Sequence, residues 1–63
     1  MEPWIANAVG ELHINKITHI ELAKKLGWTS QYLSAIFNGK RAPKGAQNKI
    51  EQAIKELIET QKH

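Results

Sequence analysis

The 63-residue sequence contains no cysteine and no aspartate. Without cysteine, neither disulfides nor thiolate metal sites stabilise so short a chain. A domain of this size buries only about 60 % of the surface its unfolded chain exposes. Stability must therefore come from well-packed helices, from a partner subunit, or from both. The absence also suits a reducing cytoplasm, the expected location. Long apolar runs are missing too: none exceeds three residues, as in Ala35-Ile36-Phe37, far too short for a membrane span or a signal-peptide core. The three histidines His13, His19 and His63 are scattered, with His13 and His19 off a common helical face. No HExxH and no glycine-rich phosphate loop occurs. The sequence thus leads to the expectation of no catalysis, no metal, no cofactor, no small-molecule ligand and no membrane association.

Negative charge is absent from one long stretch. Residues 22–50 carry Lys24, Lys25, Lys40, Arg41, Lys44 and Lys49 and no acid, a local balance of +6 within a net charge of +3. The flanks compensate, with Lys16 against Glu2, Glu11 and Glu21 before it, and Lys55 and Lys62 against Glu51, Glu56 and Glu59 after it. A basic middle between mildly acidic ends is what a surface facing a polyanion requires, although an ordinary solvated basic face looks the same from charge alone.

Periodicity predicts helices only, in a single domain with no linker, repeat or low-complexity tract. Glu2-Pro3 starts a first helix over about residues 3–13, with Trp4, Ile5, Ala8, Val9 and Leu12 on one stripe. Gly10 weakens its second half unless a neighbouring backbone comes close there. Thr18-His19-Ile20-Glu21 is a capping box, and the helix it opens runs to Leu26 and stops at Gly27. Thr29 caps a third helix over about 30–37, whose apolar positions Leu33, Ile36 and Phe37 are spaced i, i+3, i+4, and Asn38-Gly39 ends it. Pro43 marks the next start. Ala46, Ile50, Ala53, Ile54, Leu57 and Ile58 then draw an amphipathic stripe on a fourth helix of about residues 44–61, supported by a Glu51–Lys55 pair and by Lys62 at its negative end. No segment alternates as a strand does. The fold class is all-α, a compact four-helix domain.

Two short helices joined across Gly27-Trp28-Thr29 have the spacing of a helix-turn-helix, here at about residues 18–38. A small residue is needed where the helices cross, and Ala23 is there. A glycine is needed at the turn, and Gly27 supplies it. Leu22, Leu26, Trp28, Leu33 and Ile36 hold the pair to the core. The alternative is a generic helical hairpin with an alanine and a glycine by chance.

The stretch Thr18–Arg41, THIELAKKLGWTSQYLSAIFNGKR, resembles the helix-turn-helix of the phage repressor and Cro family, the xenobiotic-response-element-type regulators. The likeness rests on Leu22-Ala23, Gly27, Thr29, Leu33, Ile36 and Asn38-Gly39-Lys40. The continuation to the fourth helix is similar to minimal members encoded by prophages and mobile elements. Trp28 stands where the family usually has valine or isoleucine, so packing under the turn must be rearranged. His19 stands where the family often has a glutamine that helps hold the DNA backbone. The resemblance implies a lambda-repressor-like fold and a regulator of transcription that binds double-stranded DNA.

It also implies which residues touch DNA. On a helical wheel with Leu33, Ile36 and Phe37 inward, Gln31 and Ala35 lie opposite, with Ser34 and Asn38 on one flank and Tyr32 on the other, while Thr29 and Ser30 project from the N-terminus. This face is polar, small and uncharged, which suits reading of base edges by Thr29, Ser30, Gln31, Tyr32, Ser34 and Ala35. For each, the bland reading is an exposed helix surface. Asn38, Lys40, Arg41 and Lys44, with Thr18 and His19 at the N-terminus of the second helix, are the candidates for the DNA backbone. Lys24 and Lys25 are read as solvated. One recognition helix reads only a few base pairs, so a homodimer on an inverted-repeat operator is expected, as a weak dimer or a monomer when free; Leu57 or Ile58 of the fourth helix faces the partner, or else the whole stripe of that helix is spent on the core. The rival reading from another class is a small helical protein-interaction module, antitoxin-like or an anti-repressor partner, on the same scaffold.

Overall fold

The computed structural model describes residues 2–61; Lys62 and His63 lie outside them, and with them the expected place of Lys62 at the last helix end. Four helices follow in order: α1 (Pro3–Ile14), α2 (His19–Leu26), α3 (Ser30–Phe37) and α4 (Ala46–Thr60). No strand occurs among the described residues.

Local chemistry accounts for the boundaries. Glu2 is the N-cap of α1 and Pro3, which lacks the N–H that would have no partner there, is its first residue. The capping box of α2 is formed: the Glu21 N–H donates to Thr18 Oγ1 at 3.1 Å, and the Thr18 N–H donates back to Glu21 Oε1 at 3.4 Å. Thr29 caps α3, its Oγ1 accepting from the Tyr32 N–H at 3.1 Å. All three of these helices end in the same double-bonded turn. In α2 the Trp28 N–H reaches the Ala23 carbonyl at 2.8 Å, with Gly27 left-handed at φ 78°. In α3 the Lys40 N–H reaches the Ala35 carbonyl at 2.9 Å, with Gly39 at φ 78°. In α1 the Ile17 N–H reaches the Leu12 carbonyl at 2.8 Å, and the left-handed residue is Lys16 at φ 56°. That turn carries Ile17, which lies on no helical stripe, back into the core beside Leu12, where it is buried.

Three expectations are corrected. The fourth helix begins at Ala46, two residues later than Pro43 suggested, because Pro43–Ala46 closes a turn (Ala46 N–H to Pro43 carbonyl, 3.2 Å) with Gly45 left-handed at φ 79°. The Glu51–Lys55 pair is not formed; Glu51 accepts from the Gln47 amide at 3.3 Å instead. No neighbouring backbone approaches Gly10: a Cβ there would meet nothing within 4 Å.

One core holds the helices together. Its residues are Ile5, Ala8, Leu12, Ile17, Leu22, Ala23, Leu33, Ile36, Phe37, Ala46, Ile50, Ala53 and Ile54, with no buried polar side chain among the described residues. α4 packs on both α1 and α2, and α3 packs on α2. The largest fully buried side chains are Leu22, Leu33, Ile36, Ile50 and Ile54. At about 1.5–3 kcal/mol each, they place the weight of the packing on α2, α3 and α4. α3 is thereby anchored by one face, leaving the opposite face outside the packing.

Candidate nucleic-acid interface

The face that α3 leaves open is the one the helical wheel assigned. Ser30 and Gln31 are exposed, Ser34 and Ala35 partly so, while Leu33, Ile36 and Phe37 are buried. Among the described residues, the Gln31 amide and the Ser30 and Ser34 hydroxyls take part in no hydrogen bond, so their donors and acceptors are available. Thr29 is exposed, but its oxygen is committed to the Tyr32 N–H, which leaves its O–H to donate outward. Tyr32 is half-buried on its flank, against Trp28. Trp28, where a smaller branched residue is usual, is accommodated by tilting edge-on to the Tyr32 ring, with centroids 5.0 Å apart and planes at 82°.

Four further candidates follow α3, all exposed: Asn38, Lys40, Arg41 and, before α4, Lys44. The backbone of the first three is fixed by α3 itself. The Asn38 N–H donates to the Ser34 carbonyl at 2.9 Å, and the Lys40 and Arg41 N–H groups share the Ala35 carbonyl at 2.9 and 3.2 Å. The Arg41 guanidinium lies 5.8 Å from the Tyr32 ring centroid, a contact between residues nine apart that no helical spacing foretells.

Thr18 and His19 sit at the start of α2, both exposed. The capping box uses the Thr18 oxygen and brings the Glu21 carboxylate to the same helix end, so part of that end's positive character is already answered within the chain. The His19 ring stands edge-on to Phe37 with centroids 5.3 Å apart, which ties the start of α2 to the end of α3. Lys25 is not merely solvated: its Nζ lies 3.0 Å from Glu56 Oε1, joining α2 to α4. A hydrogen bond from the Gln52 amide (2.9 Å) and the ammonium of Lys25 together hold the Glu56 carboxyl below the usual carboxylate range.

Comparison with known families identifies the helix-turn-helix. A helix-turn-helix family model matches residues 15–47, from the turn after α1 through α2, α3 and the basic loop into the first turn of α4. That is just over half of the chain. The chain belongs to the phage repressor and Cro-type helix-turn-helix family. Members of this family are DNA-binding regulators, and the fold is the all-α helix-turn-helix fold. No curated protein and no solved structure matches the chain. No described helix is long and apolar enough to cross a membrane.

Proposed function

We propose that this helix-turn-helix protein is a sequence-specific regulator of transcription, Cro- or repressor-like, that reads the major groove of duplex DNA with α3. The observation that carries the reading is the pairing of two surfaces: an uncharged, unoccupied polar face on α3, bordered by an exposed run with Lys40, Arg41 and Lys44 and no acid. Ser30, Gln31, Ser34 and Ala35 face the base edges, with Thr29 at their margin and Tyr32 on the flank beside Trp28. Gln31 is suited to a paired contact with adenine, and the Ala35 methyl to thymine. Asn38, Lys40, Arg41, Lys44, Thr18 and His19 hold the sugar–phosphate backbone. The protein acts in the cytoplasm as a two-fold pair on an inverted repeat.

Selecting bound DNA from a random pool and then titrating two variants tests this. Gln31→Ala is expected to lose about 1–3 kcal/mol on the selected site and much less on random duplex. Lys40→Ala is expected to weaken both and to lower the salt slope by about 0.9 for each phosphate left unneutralised. Equal weakening of both DNAs by Gln31→Ala would assign the reading to another face. No retardation of any duplex at low salt would favour a protein-interaction module instead.

A further inference from the structure

Tyr32 is held from two sides. On one, Trp28 meets its ring edge-on at 5.0 Å, and Trp28 is itself half-buried, with its backbone N–H bonded to the Ala23 carbonyl at 2.8 Å. On the other, the Arg41 guanidinium lies 5.8 Å from the ring centroid. The Arg41 backbone is fixed by its N–H bond to the Ala35 carbonyl at 3.2 Å, so the turn at Gly39 folds the chain back along α3. Among the described residues Arg41 is in no ion pair, and the acid-free stretch 22–50 offers it no carboxylate nearby in sequence. A guanidinium resting against an aromatic ring keeps its donor fork free for an anion and has less rotamer freedom to lose on binding one. We infer that Trp28, Tyr32 and Arg41 form a bracket that aims the Arg41 guanidinium from the flank of α3 at a DNA phosphate. The inference rests on the proposal that α3 reads DNA. It makes Tyr32 a positioning residue rather than a reader of bases, its ring engaged by both Trp28 and Arg41.

The bracket is testable before any DNA is added. Arg41 is the sole arginine of the sequence, so its side-chain signals in a proton NMR spectrum are unambiguous. In the free protein its δ-protons are expected to be displaced by the ring current of Tyr32. They should stay so in Tyr32→Phe and return to the ordinary position in Tyr32→Leu, with melting curves confirming that both variants are folded. On DNA, Tyr32→Phe should bind as wild type does. Tyr32→Leu should lose about two- to five-fold on the selected site and on random duplex alike. It should lose nothing further in an Arg41→Ala background. Undisplaced Arg41 protons in the wild type would overturn the inference. So would a change of preferred base in Tyr32→Phe, or an undiminished loss from Tyr32→Leu when Arg41 is already alanine. Displaced protons in a protein that binds no duplex at low salt would instead overturn the reading of α3, and with it the phosphate as the target of the bracket.

Discussion

Lys16, in the turn after α1, and Gly10, within α1, stand at each other's natural places. Lys16 holds φ 56°, a left-handed conformation that costs a residue with a side chain about 1–2 kcal/mol. Gly10, six residues earlier, lies in the helix interior with open space around its missing Cβ, where glycine costs about 0.5–1 kcal/mol relative to alanine. Lys16 is exposed, and among the described residues its ammonium is in no ion pair that would offset the strain. Lys16→Gly and Gly10→Ala are each expected to stabilise the protein by about 0.5–1 kcal/mol, and for a domain of this size 1 kcal/mol raises Tm by about 4–8 °C. Thermal unfolding followed by circular dichroism checks both. A lower Tm for Gly10→Ala would mean that α1 needs its glycine for an approach by a partner. At Gly27 and Gly39, which share the left-handed conformation at α2 and α3, alanine should act in the opposite direction.

Between elements, two joints tie α2 to its neighbours. The first is the crossing of α2 and α3, where Ala23 is buried and its carbonyl closes the turn to Trp28. Ala23→Leu would insert three carbons into a filled crossing, at a cost of about 1–3 kcal/mol in a chain with few to lose. A strongly lowered midpoint in urea is the expected result, and an unchanged one would remove Ala23 from the crossing. The second joint is Lys25–Glu56 between α2 and α4, both partly exposed. Because the Glu56 carboxyl is held below its ordinary value of 4.5, its contribution is present above that value. It is lost as pH falls through the lowered one. Wild type should therefore lose stability more steeply on acidification below pH 4.5 than Glu56→Gln does, by a small and salt-sensitive margin because solvent screens the pair. Parallel acid limbs for the two proteins would show that the joint adds nothing.

The whole molecule separates its charges. The stretch without acid holds α3 and the loop after it, while Glu2, Glu11, Glu51, Glu56 and Glu59 lie on or beside α1 and α4 and Glu21 in the first turn of α2. Under the proposed function such a distribution presents α3 to the polyanion. On DNA, the proposed two-fold pair is expected to protect two half-sites centred about 10 base pairs apart, one helical turn, in footprinting. A single short footprint at saturating protein would refute it. Of the apolar residues along α4, Ile50 and Ile54 are buried in the core, and Leu57 and Ile58 are half-buried against it. The most exposed large apolar side chains are Ile14, 78 % exposed, and Ile20, 65 %, at the end of α1 and the start of α2.

Much of what depends on neighbours within about four residues was legible in the sequence, although the Glu51–Lys55 pair and the start of α4 were not. The capping box at Thr18, the Thr29 cap, the stops at Gly27 and Gly39 and the inward stripe of α3 are such features, and helix hydrogen bonds and caps span that distance. The polar face of α3 follows from the same periodicity. Composition did the rest, since a glycine at a turn and an acid-free stretch need no coordinates. What joins distant residues could be decided only by the folded chain. Ile17 enters the core because a lysine accepts the left-handed turn before it, a conformation the residue type does not announce. Lys25 meets Glu56, and Arg41 folds back onto Tyr32, because packing of α4 on α2 and the turn after α3 bring them together. Surface side chains of this length reach many partners, and only the tertiary arrangement of the backbone selects one.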